Sequence, residues 1–109
     1  MPQILMRFTP WYPLAEAEQR APAARGMLQL RLAAGLVDYP RGKSAMVHYA
    51  VADDVRVEAV RFATGHRGPQ LLCRHLDVEG AVVDVTLFFD RVMREFERRF
   101  GAAPALPSS

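Results

Sequence analysis

The chain has 109 residues, half of them hydrophobic, with a formal net charge of +2 and a single cysteine. That length fits one domain able to bury a core without a staple, and the lone Cys73 excludes an internal disulfide. The pI near 9.1 reflects a small basic excess in which arginines and acids interleave, as in "FDRVMREFERRF", and this argues against the one-sided basic face of a nucleic-acid binder.

No apolar run approaches the roughly 20 residues of a membrane-spanning helix. "MPQILMRFTP" lacks the basic and apolar regions of a secretory leader. A cytoplasmic protein is expected, and one cysteine agrees with a reducing compartment. Lys43 is the only lysine. The arginine preference, with frequent Ala and Val, suggests a GC-rich, bacterial genome.

"PQILMRFT" (Pro2 to Thr9) alternates like a strand, with Ile4, Met6 and Phe8 on one face. Pro10 and Pro13 end it, and "PWYP" makes a stiff aromatic corner. "PLAEAEQRA" predicts a short helix with Pro13 near its first turn and acids early. Residues 27–36 suit strand or helix. The alternation of Leu28, Leu30 and Leu32 with Gln29 and Arg31, bracketed by Gly26 and Gly35, favours strand.

"YPRGKS" (Tyr39 to Ser44) is a turn by its Pro and Gly content. "SAMVHYAV" reads as a strand. "VRVEAVRFA" (Val55 to Ala63) reads as the next strand, with Val55, Val57 and Ala59 on one side and a hairpin at Asp53-Asp54. After the loop "TGHRGP", "QLLCRHLDV" (Gln70 to Val78) is a further strand.

The strongest pattern is "DVTLFFDRVMREFERRFG". Val85, Phe88, Phe89, Val92, Met93, Phe96 and Phe100 form one helical stripe. Asp90–Arg94 and Glu95–Arg99 are acid-first i,i+4 pairs. Gly101 is placed to end the helix in the left-handed conformation. The rival reading runs a strand through "AVVDVTLFF". The stripe is expected to pack on the sheet and form the spine of the core.

The expectation is therefore an α+β fold. An antiparallel sheet of about four to five strands packs on a long C-terminal amphipathic helix, with a short helix after the first strand. Residues 1–101 form the single domain, and 102–109 a disordered tail. This order of elements resembles a shortened helical-grip layout, in which a curved sheet wraps a terminal helix around an apolar cavity. The resemblance implies a small apolar-ligand binder or cavity enzyme.

Alternation places Leu71, Cys73, His75 and Asp77 on one strand face, the residue types a thiol nucleophile or metal would use. Their linear spacing does not make a triad, and a buried Cys is commonly inert. His48, His66 and His75 are isolated from one another, so no metal and no cofactor is expected. Asp53-Asp54 and Glu16 with Glu18 place no two carboxylates together for acid–base work. "YPRGK" and "GHRG" match no phosphate-binding fingerprint. Trp11, in its proline-flanked corner, can cap a cavity or anchor a partner. His48, Cys73, His75 and Trp11 are the candidate ligand-binding residues.

The favoured function is a non-enzymatic binding or interaction domain that self-associates as a homodimer, since strand edges must be paired or covered. A small apolar-ligand binder is the alternative. A weak nucleic-acid module ranks below both, because it would need Arg41, Lys43, Arg67 and Arg74 to converge.

Overall fold

The computed structural model describes residues 5–79 and 84–106. In chain order come β1 (Leu5–Phe8), β2 (Tyr12–Pro13), a 3-10 turn (Leu14–Glu16), α1 (Ala17–Arg20), β3 (Gly26–Leu32), β4 (Val37–Tyr39) and β5 (Gly42–Ser44). They are followed by β6 (Met46–Ala52), α2 (Val55–Gly65), β7 (Leu71–Glu79) and α3 (Val85–Phe100). The main sheet runs β1-β7-β3-β6, every pairing antiparallel, with β2 pairing further along β7. The fold is α+β, with the short helical segment after the first strands and the long C-terminal helix on the sheet.

Two crossovers build this order. The chain passes from β1 through α1 to β3, stepping over β7, and from β6 through α2 to β7, stepping over β3. Helices α1 and α2 pack together on one face. There, Leu28, Leu30 and Leu32 of β3, Val47 of β6, and Leu71 and Cys73 of β7 form the main core with Leu14, Ala17, Val55 and Ala59. The opposite face belongs to α3.

Residues 27–32 are strand because both faces of β3 are covered. Met27, Leu28, Gln29 and Leu30 are all essentially inaccessible, the burial of an interior strand rather than of a one-sided helix. The register shifts between Leu30 and Arg31, whose partners on β6 are His48 and Met46, leaving Val47 as the extra residue of a bulge. "YPRGKS" is the tip of the β4–β5 hairpin, turning at Pro40-Arg41.

The stretch from Val55 to Ala63 corrects the sequence reading, because it is helix rather than strand. Asp54, expected in a hairpin, is the N-cap of α2, and its carboxylate accepts from the Val57 amide at 3.0 Å. Val55 and Ala59 are buried and Phe62 is packed on the core, while Val57 is 52% exposed. That i, i+4, i+7 stripe is helical, and the alternation of Val55, Val57 and Ala59 was coincidental. Asp53 instead pairs with Arg25 at 2.9 Å. Arg25 also donates to Thr86 Oγ1, tying the start of α2 to the start of α3.

Helix α3 begins where Asp84 accepts from the Leu87 amide at 3.1 Å. It ends at Gly101, whose φ of 82° is left-handed and whose N–H reaches the Glu97 carbonyl. A Cβ there would meet Pro40 at 3.0 Å, so the hairpin tip needs this glycine. The expected i,i+4 ion pairs are replaced: Glu95 bonds Arg98 at 2.8 Å, and Arg94 donates to the Asp90 carbonyl. The rival strand through "AVVDVTLFF" is overturned, since Val85 to Phe89 are helix; its residues 81–83, the first strand's residues 2–4 and tail residues 107–109 lie outside the described residues. Leu106 packs against the core, and the Ala105 amide donates to the Tyr39 hydroxyl.

Within the stripe, Phe96 is the buried residue and the others are partly covered. Its ring meets Tyr39, Tyr49 and Phe100, with centroids 5.1, 5.8 and 4.5 Å away. Phe96→Ala should destabilise the fold by about 3–5 kcal/mol, the range for losing a buried Phe. Leu87→Ala, at a 64% exposed position, should change it by less than about 0.5 kcal/mol. Chemical denaturation of both variants measures the difference, and equal stabilities would remove α3 from the core.

Candidate functional site

The candidate residues occupy both faces of the sheet. On the α1–α2 face, Cys73 and His75 alternate along β7, and β2 brings Tyr12 opposite Cys73. The Tyr12 hydroxyl and His75 Nδ1 share a hydrogen bond of 3.2 Å, the imidazole tautomer deciding which donates. The Tyr12 hydroxyl also interacts with the Cys73 thiol. Thr9 fixes the His75 backbone through its amide to the His75 carbonyl at 3.0 Å and through its hydroxyl, which accepts from the His75 amide. Arg20 lies 5.7 Å from the Tyr12 ring centre. Thr9, Pro10, Tyr12, Arg20 and His75 bound a shallow recess of about 250 Å³.

The Tyr12 phenol and the Cys73 thiol keep their protons near physiological pH. Burial pushes the Cys73 thiol up to about 11, opposed by its bond from Tyr12. Burial also raises the Tyr12 phenol, and Cys73 adds to the shift. A thiol held protonated is a poor nucleophile.

His48 shares the face but stands apart. Leu30 of β3 pairs with His48 on one side and Cys73 on the other, so a whole strand separates them. Its ring packs on Phe62 with centroids 4.4 Å apart, and its buried Nε2 has no partner among the described residues. Burial lowers the His48 pKa, and Glu58 only partly opposes this. The side chain of Asp77 lies outside the described residues. No group of three His, Cys, Asp or Glu that could hold a metal occurs among the described residues.

Trp11 lies with the other face. The Arg74 guanidinium carbon sits 4.4 Å from the Trp11 ring centre and 4.2 Å from that of Phe8, and Arg31 lies 5.3 Å from Trp11. Arg74 Nε donates to Gln29 Oε1 at 2.7 Å, and Gln29 is 2% exposed. Gln29 and Arg31 were missed as site residues, and Arg74 was named only for nucleic acid, because a polar residue alternating with leucine reads as a solvated face. The available signal was the stripe of α3, which needs a second sheet face to cover.

Beside β6, Met46 and Tyr49 face Val92 and Phe96 of α3 across an open groove of about 550 Å³, with Arg91 and Arg99 on the helix side. The space between helix and sheet here is a groove open to solvent. Three of the four basic residues named for nucleic acid serve local contacts: Arg41 donates to the Arg98 carbonyl, Lys43 pairs with Asp38, and Arg74 is turned onto Phe8 and Trp11, while Arg67 is exposed. No described helix is long and apolar enough to cross a membrane. No family model matches the chain, and comparison with the curated proteins and the solved structures finds no match.

Burial of Cys73 and of His48 has measurable outcomes. Native Cys73, 0% exposed with its pKa raised from 9.0 to about 11, should react with iodoacetamide at about pH 8 roughly 100-fold or more slower than the unfolded chain. Equal rates, read by mass spectrometry, would show an accessible thiolate. His48 gives a pH dependence. Its folded pKa lies below the ordinary 6.5, so its contribution is fully present above 6.5. It is lost as pH falls, because the unfolded imidazole binds a proton that the folded one resists. Denaturation midpoints should therefore drop between about pH 7 and pH 5, and His48→Leu should flatten that drop. An unchanged slope in the variant would assign the effect elsewhere.

Proposed function

We propose that this protein is a non-enzymatic interaction domain that works as a homodimer, with two copies joined along the outer edge of β6. The observation carrying the reading is the character of that edge. β6 ends the sheet order, and its seven residues, "MVHYAVA", contain no charge, proline or glycine. Edge strands left open carry a row of unpaired backbone groups, and lone sheets blunt them with lysine, proline or bulges. Here the bulge at Val47 and the Tyr39 hydroxyl, which donates to the Met46 carbonyl at 2.6 Å, cover only the start of the strand. His48 to Ala52 lack such protection.

A second copy fits this edge by symmetry. Antiparallel pairing about a two-fold axis sets a strand against itself, and the resulting interface is closed. The groove between β6 and α3 adds apolar surface beside the same edge. The protonated Tyr12 and Cys73 support a non-catalytic reading, since neither acid ionises near neutral pH. We place the dimer in the reducing cytoplasm of a bacterial cell, on the single unpaired cysteine and the arginine-rich composition.

Sedimentation velocity at micromolar concentration should give a species of twice the 12.2 kDa chain mass. Hydrogen exchange should show successive amides of His48 to Ala52 protected, including those facing away from β3. A monomer in which the outward amides of β6 exchange freely would overturn the proposal.

A further inference from the structure

We propose that Arg74 and Arg31, grouped around Trp11 on the α3 side of the sheet, form a binding site for a small, doubly charged oxyanion. The argument starts from how each guanidinium is held. Arg74 rests against the rings of Phe8 and Trp11, its guanidinium carbon 4.2 and 4.4 Å from their centres. Its Nε is committed to Gln29 Oε1 at 2.7 Å. Gln29 is itself buried, which fixes the direction of the fork. Arg31 is arranged alike, with its Nε donating to the Leu32 carbonyl at 3.3 Å and its charge 5.3 Å from the Trp11 ring centre.

What remains on both arginines is the pair of terminal amino groups. Neither side chain has a carboxylate within 4.0 Å among the described residues. The described ion pairs use Arg20, Arg25, Lys43, Arg61 and Arg98. Two cations therefore share one aromatic platform with no counter-charge among the described residues. Burial works against the protonated form of Arg74, and Arg31 adds repulsion that Tyr49 opposes. Arginine does not escape by losing its proton. Half-buried charge is ordinarily met by an opposite charge, and here the in-plane donors are the groups left to meet it.

The chemistry of the ligand follows. Guanidinium forks bind oxyanions through parallel N–H···O bonds, which suits carboxylate and phosphate. Two forks favour two negative charges. The ligand is then a phosphate monoester or a dicarboxylate, small enough to sit beside Trp11. The neighbouring rings would take the uncharged part of the molecule.

Trp11 is the only tryptophan, so intrinsic fluorescence reports on this site alone. The full-length protein is titrated with inorganic phosphate and, separately, with succinate. Titrations run at about pH 7.5, where phosphate is mostly dianionic, against sodium chloride of matched ionic strength. At least one oxyanion should give a saturable change that chloride does not. It should also raise the melting temperature of the unmodified protein. Arg31→Gln should weaken binding by about tenfold or more, because one charged fork is lost. Arg91→Gln, on α3, should bind like the parent. Response to phosphate alone identifies the monoester class, and response to succinate alone the dicarboxylate. No saturable response beyond chloride to either anion would overturn the proposal. So would an Arg31→Gln protein that binds like the parent. If that variant does not fold, the melting shift of the unmodified protein decides the matter.

Discussion

The fold depends on one strand that is buried on both faces except at Arg31. β3 is hydrogen-bonded to β6 on one side and β7 on the other, and Met27 to Leu30 are inaccessible. Each face of such a strand needs its own cover. Both crossover helices land on the same face, because α1 and α2 carry the chain over neighbouring strands and pack against each other. The second face is left for whatever follows β7, and α3 fills it. This explains why the last helix has so broad an apolar stripe, and why only Phe96 within it is fully buried. The helix lies over β3 and β6 and brings Phe88 onto Phe8 of β1, and an open groove remains between it and β6.

Putting polar residues on a buried face also fixes the strand register. A one-residue slip of β3 would exchange Leu28, Leu30 and Leu32 with Met27, Gln29 and Arg31. Gln29 would then lose Arg74 and enter the leucine core, leaving two polar groups unmatched. The Gln29–Arg74 bond is thus worth more as a penalty on the wrong register than as net stability in the right one.

Much of this was legible in the sequence, and what was not has physical reasons. β3, β7 and α3 follow from alternation and from a helical stripe, and Gly101 announces its own left-handed geometry. The misread element is α2. "VRVEAVRFA" satisfies period two through Val55, Val57 and Ala59, and period 3.6 through Val55, Ala59 and Phe62. Over so short a run the patterns compete, and Asp54 as an N-cap was the deciding signal. The alternation of Cys73 and His75 was readable. Tyr12 was not, because its place depends on a pairing between segments some sixty residues apart that no local pattern encodes. Arg31 and Gln29 were hidden by the assumption that a strand has one wet face.

Burial then acts on the two faces in opposite ways. On the α1–α2 face it meets groups that possess a neutral form. Cys73 and Tyr12 keep their protons and His48 gives one up, so none of the three carries a charge to be answered. On the α3 face it meets arginine, which has no neutral form within reach of ordinary pH. The same desolvation that silences a thiol leaves Arg74 cationic and under-solvated. Rings and a buried amide answer part of that charge, since an aromatic face attracts a cation and Gln29 accepts from Nε. Neither supplies a negative charge. Uncompensated charge therefore remains where neutralisation is impossible, on Arg74 beside Trp11, and not at Cys73 or His48, which have neutral forms.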